Sequence, residues 1–161
     1  MSDHAVILLV EDQEDDIFLI RKAFKKAAVL NPIHVVRDGE EAIEYLSGEG
    51  RFENRAEHPL PELILLDLKM PRRDGFQVLQ WIRQQEGFSE IPVVVLTSSE
   101  QIWEINMAYS MGANSFLVKP GDFEDYKSLA AVVHAYWLKH AKRAESSRTP
   151  RKKKTSGGPL R

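Results

Sequence analysis

Three carboxylates, two hydroxyls and one ammonium follow short apolar runs, and together they could hold an anionic group beside a cation. These residues are Glu11, Asp12, Asp67, Thr97, Ser98 and Lys119. Carboxylate oxygens are ligands for hard divalent cations. A lysine ammonium supplies a compact positive charge, and a hydroxyl can donate a hydrogen bond to an oxyanion. The set therefore indicates combined cation and anion binding, provided that the fold brings its members together.

Taken singly, none of these residues specifies such a site. Glu11 and Asp12 also suit the first turn of a helix, where acidic side chains face the positive end of the helix dipole. Asp67 and Thr97 are also ordinary turn or capping residues, and a lone Lys119 would be a solvated charge. The five histidines show no spacing typical of metal ligands. The functional interpretation depends on the joint pattern.

The apolar runs before these residues predict buried strands, because they are continuous rather than alternating. The five predicted strands are Ala5–Val10, Ile33–Val36, Leu63–Leu66, Pro92–Leu96 and Ser115–Val118. Helical spacing of apolar residues follows each of them, and the predicted helices begin after Glu11, at Glu40, at Asp74, at Ser98 or Ser99, and at Asp122. This alternation predicts an α/β fold with a parallel sheet, whose carboxyl edge collects the polar residues.

Two segments carry predictions of their own. The fourth helix is predicted to turn one face toward the core, and that face consists of Ile102, Ile105, Ala108 and Tyr109. Residues 48–62 are polar, with two glycines and two prolines, and predict a surface loop longer than is usual.

Length, composition and charge limit the classes of protein. The 161 residues suit one domain, and the absence of cysteine excludes a disulfide framework and a cysteine nucleophile. The apolar runs are too short to cross a membrane and no basic segment precedes the first, which predicts a cytoplasmic protein without a membrane partner.

The net charge of −2 combines fourteen Lys/Arg and twenty-three Asp/Glu in residues 1–141 with eight Lys/Arg and one Glu in residues 142–161. We therefore predict an acidic domain, 1–141, and a disordered basic tail, 142–161.

Four segments resemble the response-regulator receiver domain of two-component signalling. They are VEDQEDD from Val10, LILLDLKMPRRDGF from Leu63, VVVLTSS from Val93 and FLVKP from Phe116, and the match spans residues 4–140. The loop 48–62 and the motifs VEDxxDD and KPGDFEDY further resemble those of single-domain regulators partnered with phytochrome-type histidine kinases. The resemblance implies a doubly wound, flavodoxin-like sheet of order 2-1-3-4-5 with five helices.

The resemblance also implies a role for each polar residue at the strand ends. Asp67 would accept a phosphoryl group from a sensor histidine kinase, without enzymatic turnover beyond self-phosphorylation and self-dephosphorylation. The ligands of a required Mg²⁺ would be Glu11, Asp12, Asp67 and the backbone carbonyl of Lys69. The phosphoryl group would be contacted by Thr97, Ser98 and Lys119. A cis peptide before Pro120 is also typical of the family.

The same resemblance implies a conformational switch. Thr97 would move toward phosphorylated Asp67, and Phe116 would turn inward behind it. Phe116 lacks the hydroxyl of the tyrosine found in many relatives, and it fits a core position of the strand equally well. The face made by the fourth helix, fifth strand and fifth helix would then bind a partner or form a homodimer, with Trp103 as a candidate contact. A phosphotransfer protein is a further candidate partner.

Other functions fit parts of the sequence. An aspartate-nucleophile phosphatase would share Asp67 but needs a second aspartate where this chain has Lys69. A nucleotide-binding protein needs a glycine-rich phosphate loop, whereas the first loop here is acidic. The basic tail could attract nucleic acid, but we expect no specific binding without an element that reads bases. An intermediate position in a phosphorelay stays open.

Overall fold

Five parallel strands form the centre of the computed structural model, which describes residues 4–142. The strands are β1 Ile7–Val10, β2 Ile33–Val36, β3 Leu63–Leu66, β4 Val93–Thr97 and β5 Ser115–Val118. Their order is β2-β1-β3-β4-β5, as the resemblance implied. The basic tail predicted for 142–161 lies outside the described residues, apart from Lys142.

Five α-helices connect and follow the strands. They are α1 Glu14–Lys26, α2 Gly39–Ser47, α3 Gly75–Gln84, α4 Ile102–Ser110 and α5 Phe123–Val133. A π-helical segment, His134–His140, continues α5. Aspartate side chains accept hydrogen bonds from first-turn amides of α2, α3 and α5, which satisfies donors that a helix leaves unpaired; these caps are Asp38, Asp74 and Asp122.

Both faces of the sheet are covered, which explains the continuous apolar runs. In β1, Leu8 and Val10 pack with residues of α2 and α3, while Ile7 and Leu9 pack with residues of α1 and α5. The same division holds along β3 and β4. Because neighbouring side chains point to opposite faces, a strand buried on both faces must be apolar throughout.

The buried face of α4 differs from the predicted one. Ala108 is buried as expected, but its partner one turn earlier is Glu104, whereas Ile102 is 75% exposed and Tyr109 is also exposed. The helix begins at Ile102 instead of at the serines, after Gln101 in extended conformation. Counting apolar side chains selected the wrong face, because the inward face of this helix carries a carboxylate.

The loop 48–62 packs against the domain. Its Phe52 is buried against Tyr45 of α2. The Arg55 guanidinium donates hydrogen bonds to the backbone carbonyls of Tyr45, Leu46 and His58, at 2.7, 2.5 and 3.1 Å. The first two of these carbonyls lie in the last turn of α2. The Tyr45 carbonyl also accepts from the Gly48 amide at 3.2 Å, so Arg55 adds a second donor there and supplies one to the Leu46 carbonyl. Among residues 4–142, no helix is both long and apolar enough to cross a bilayer.

Candidate functional site

Three carboxylates meet at the carboxyl edge of the sheet. β1 and β3 are neighbours in register, with Val10 opposite Leu66, so the residues that follow them emerge side by side. One oxygen from each of Glu11, Asp12 and Asp67 lies within 4.8 Å of the others. Glu11 is only 1% exposed and Asp67 is also buried. The register of two strands therefore produces a compact acidic cluster.

The close approach of α3 fixes the backbone at Asp67. The Gly75 amide donates a hydrogen bond to the Leu68 carbonyl at 2.9 Å. A Cβ at Gly75 would lie 2.4 Å from the Asp67 carbonyl oxygen and 2.6 Å from the Leu68 Cα, so only glycine fits there. The first turn of α3 thus abuts the chain at Asp67 and at the residue after it.

The Lys119 ammonium crosses from the edge strand into the acidic cluster. The Lys119 amide donates to the Thr97 carbonyl at 2.8 Å, which anchors the end of β5 beside β4. The side chain pairs with Glu11, with Asp16 at 2.9 Å and with Asp67 at 3.3 Å. One cation therefore bridges three carboxylates from two segments of the chain.

Burial and charge shift the protonation of this cluster. Burial raises the pKa of Glu11 to about 8, although the hydrogen bond from Lys119 acts in the opposite direction. Burial lowers the pKa of Lys119, but hydrogen bonds to Glu11 and Asp16 and the charge of Asp67 outweigh it and hold that pKa above its usual range. The site keeps its ammonium and has an excess of carboxylates, which favours a further cation.

Two polar atoms at this edge indicate what else the site accepts. Asp12 Oδ1 and Thr97 Oγ1 are buried and have no hydrogen-bond partner among residues 4–142. An oxygen acceptor beside two more carboxylates fits a hard divalent cation, whose ligands are oxygens. A buried hydroxyl fits an anion as its acceptor. The residues present therefore suit both a metal ion and a bound anionic group.

The other predicted site residues lie around this cluster with different exposure. The side chains of Ser98 and Lys69 are exposed, and the Lys69 amide donates to Asp67 Oδ1 at 3.3 Å. Phe116 is half-buried, and its amide donates to the Tyr109 hydroxyl at 3.1 Å. Trp103 is 57% exposed on α4. The Lys119–Pro120 peptide is trans, which differs from the cis form expected from the family.

Two residues of this edge were missed by the sequence interpretation. Asp16 lies one helical turn after Asp12, and that spacing within VEDQEDD could have placed it beside Lys119. Glu104 is buried at the start of α4 beside the same edge. No sequence signal identified it, because the predicted inward face of its helix is rotated away from the observed one and shares Ala108 with it.

Comparison with known proteins assigns the family. A model of the response regulator receiver domain matches residues 7–131, which is most of the chain. The chain belongs to the response regulator receiver domain family. The predicted family and the predicted sheet order are both confirmed. Receiver domains are signalling domains, so the acidic cluster with Lys119 is interpreted as the site of a signalling protein.

Individual relatives refine this assignment. The probable methanogenesis regulatory protein FilR2 of Methanothrix harundinacea is 40% identical over 137 residues, which are 85% of this chain and 86% of the relative. The response regulator Rcp1 of Synechocystis is 36% identical over 142 residues, which are 86% of this chain and 95% of Rcp1. The Mn²⁺-bound structure of Rcp1 superposes with a TM-score of 0.78 at 34% identity, over 88% of this chain and 99% of that one.

A solved phytochrome response regulator has the same fold. The crystal structure of the phosphorylated cyanobacterial phytochrome response regulator RcpA superposes with a TM-score of 0.80 at 35% identity. The superposition covers 88% of this chain and 99% of RcpA. The chain is therefore related to phytochrome response regulators.

Proposed function

We propose that this protein accepts a phosphoryl group from a histidine kinase on Asp67 in a Mg²⁺-dependent reaction. The observation that carries the proposal is the contact between the Lys119 ammonium and Asp67 Oδ2, at 3.3 Å, beside Glu11 and Asp12. Asp67 is thereby a buried nucleophile in contact with a cation and close to two further potential metal ligands.

The proposed metal ligands are Glu11, Asp12, Asp67 and the backbone carbonyl of Lys69. The carboxylate trio and the unpartnered Asp12 Oδ1 support this set. When bound, Mg²⁺ supplies positive charge that offsets the repulsion between the carboxylates and an anionic phosphoryl donor. The Mn²⁺-bound structure of the relative Rcp1 supports a divalent cation of this type.

The transfer step forms one bond and breaks another. An Asp67 carboxylate oxygen attacks phosphorus, and the nitrogen–phosphorus bond of the kinase phosphohistidine breaks with its electron pair retained by the imidazole. Lys119 balances charge on the phosphoryl oxygens, and Thr97 donates its hydroxyl to one of them. Ser98, exposed at the mouth of the site, contacts the same group. Hydrolysis by an in-line water returns Asp67 to its free form.

The same contacts would transmit the signal. Thr97 Oγ1 has no acceptor among residues 4–142, and a phosphoryl oxygen would draw it toward Asp67. Phe116, half-buried on the neighbouring strand, would then turn inward and alter the surface of α4, β5 and α5. We assign this face, with Trp103 on it, to a partner or to a homodimer, and a phosphotransfer protein is a further candidate.

The kinase is proposed to be of the phytochrome type, because the solved relative RcpA is a phytochrome response regulator. An aspartate-nucleophile phosphatase is less well supported, because Lys69 stands where that chemistry needs a second carboxylic acid. We also propose that the protein is located in the cytoplasm, since the proposed reaction with the kinase takes place there.

The proposal is tested by labelling with a small phosphodonor such as acetyl phosphate. We expect Mg²⁺-dependent incorporation of one phosphoryl group per chain, lost in Asp67→Asn. Asp15→Asn is the matched control, because Asp15 is exposed on the first turn of α1 and outside the acidic cluster. Labelling of Asp67→Asn at the wild-type level would contradict the assignment. Turnover of a phosphomonoester many times per chain would instead favour the phosphatase.

A further inference from the structure

A cleft opens beside the carboxyl edge of the sheet, between the loop after β3 and the first turn of α4. Its volume is about 590 Å³. Three carboxylates and one ammonium line it, from Asp12, Asp74, Glu104 and Lys69. Two aromatic rings, Phe76 of α3 and Trp103 of α4, also line the cleft. The cleft is thus anionic on balance and has an aromatic side.

Glu104 is the residue that points to a ligand. It is 6% exposed, and its Oε2 is buried without a hydrogen-bond partner among residues 4–142. A carboxylate oxygen that is removed from water and receives no donor is destabilising, and such atoms are rare unless they serve a function. The inward face of α4 could have held an apolar residue at this position, as the rest of the core does. A donor from outside the described chain would satisfy Oε2.

The aromatic pair restricts the shape of that donor. Phe76 and Trp103 are stacked, with ring centroids 6.3 Å apart and an interplanar angle of 28°. Trp103 remains 57% exposed, so much of its surface is open to a ligand. A flat cation can stack on an indole face and at the same time direct its N–H groups at a neighbouring carboxylate. A hydrated metal ion gains nothing from the rings, and an anion is repelled by the carboxylates.

We propose that this cleft binds the guanidinium group of an arginine side chain presented by a partner protein. The guanidinium would stack on Trp103 and donate to Glu104, an arrangement that matches both its planarity and its charge. Charge complementarity selects a cation, and the exposed apolar side chains Ile102 and Met107 on the same helix supply a surface for the rest of a protein partner. The unphosphorylated protein would bind in this way, and the binding does not depend on phosphotransfer to Asp67.

Agmatine, an alkylguanidinium, is a suitable probe for the full-length chain. The indole N–H cross-peak of Trp103 reports binding and is identified by its absence in Trp103→Phe, while Trp81 and Trp137 serve as internal references. Mg²⁺ is kept present so that the acidic cluster does not attract the probe non-specifically. We expect a saturable shift of the Trp103 cross-peak, and weaker binding by cadaverine, a dication of similar length that has no planar guanidinium to stack on the indole.

Glu104→Gln separates the proposed contact from general attraction. Losing the charged acceptor is expected to weaken agmatine binding about tenfold. Glu100→Gln is the matched control, because it removes the same charge from an exposed position just before α4. Its expected effect is about twofold or less. A shift that does not saturate, or equal affinities for Glu104→Gln and wild type, would overturn the proposal.

Two further measurements distinguish partner binding from a structural role of Glu104 and from occupation of the cleft by the chain itself. A purely structural Glu104 would lower the melting temperature when replaced, whereas removal of an unpaired buried carboxylate should leave it unchanged or raise it. Labelling at Asp67 should be normal in Glu104→Gln, so failure here is distinct from failure of the phosphoacceptor assignment. The chain's own arginines are tested in a full-length variant with Arg143, Arg148, Arg151 and Arg161 replaced by glutamine. Movement of the Trp103 cross-peak in that variant without probe would assign the cleft to the chain itself and overturn binding of a partner.

Discussion

The two edges of the sheet each hold a cation that is at least partly buried, and they surround it with different partners. At the carboxyl edge, Lys119 lies among Glu11, Asp16 and Asp67. At the amino edge, the guanidinium of Arg83, from the last turn of α3, lies among neutral acceptors. It donates to the carbonyls of Ser89, Ile91 and Gly112 and to Asn114 Oδ1, at 2.7 to 2.9 Å.

The neutral partners of Arg83 hold the chain where β4 and β5 begin. Asn114 Oδ1 also accepts from the Val93 amide at 2.8 Å, so one side chain links Arg83 to the first residue of β4. Burial lowers the pKa of Arg83, although the charge of Glu90 acts in the opposite direction. Each acceptor around this cation is a neutral main-chain or amide oxygen, and the arrangement is complete without a ligand.

At the carboxyl edge, in contrast, several buried polar atoms lack hydrogen-bond partners within the described chain. Asp12 Oδ1, Thr97 Oγ1 and Glu104 Oε2 are buried there without hydrogen-bond partners among the described residues. Unsatisfied polar atoms cost stability, whereas satisfied ones fix a structure. The difference indicates that the amino edge maintains the fold, whereas the carboxyl edge leaves polar atoms open, as the proposed metal, phosphoryl and guanidinium sites require.

Replacing Arg83 with methionine gives the largest expected loss of stability. Four hydrogen bonds would be lost, and partial access of water limits the loss to about 4 kcal/mol of unfolding free energy. Arg83→Lys is the matched control. It keeps the positive charge but lacks the branched N–H donors of the guanidinium, so we expect about half of the loss in unfolding free energy. Urea unfolding measures both. A loss in Arg83→Met that shrinks when Mg²⁺ is added would contradict a purely structural role for this edge.

The loss of stability in Lys119→Met, unlike that in Arg83→Met, should shrink when Mg²⁺ is added. Without metal, the variant leaves Glu11 and Asp67 buried without a cation, and protonation of Glu11 limits the loss to about 2 kcal/mol. With Mg²⁺, the variant should bind the ion more tightly than the wild type does, because no ammonium competes for the same carboxylates, and this difference in binding to the folded state should restore most of the loss. Unfolding in chelator and in Mg²⁺ measures the difference. Equal losses in both conditions would show that the metal does not share this cluster.

Arg55→Met tests the long loop at the amino edge. The guanidinium donates to the Tyr45 and Leu46 carbonyls in the last turn of α2. We expect a loss of about 2 kcal/mol, less than for Arg83 because fewer hydrogen bonds are lost and the Tyr45 carbonyl keeps the Gly48 amide as a donor. Arg51→Met is the control, since Arg51 is exposed in the same loop and its ion pair is with the Glu41 side chain. Equal effects of the two substitutions would mean that the loop packing does not depend on Arg55.

The sequence predicted the sheet better than it predicted α4. Continuous apolar runs identified all five strands, and β2, β3 and β5 have the predicted bounds, because burial on both faces permits few other residues. The Asp67 and Lys119 positions followed from the strand ends. Glu104 could not be found in this way, since its burial depends on how α4 rotates against the cleft. That rotation is a tertiary property, and the apolar residues exposed on the helix gave the opposite signal.

His34 gives the smallest predicted effect and tests whether the amino edge is complete at every pH. Its ring lies 3.0 Å, through Nδ1, from the Tyr45 hydroxyl, which donates to the Pro59 carbonyl at 2.9 Å. Burial lowers the pKa of His34, and the neighbouring His58 and Arg21 lower it further. Folding therefore favours neutral His34, so its contribution is complete above the unfolded pKa near 6.5 and is lost as the pH falls through the lower folded value. The expected difference in unfolding free energy between wild type and His34→Gln changes by at most about 1 kcal/mol between the two ends of that window. Urea unfolding of both proteins above and below this pH window measures the change. If the stability advantage of the wild type over His34→Gln grew at acidic pH, the fold would accommodate protonated His34 better than the neutral ring, which would contradict the prediction.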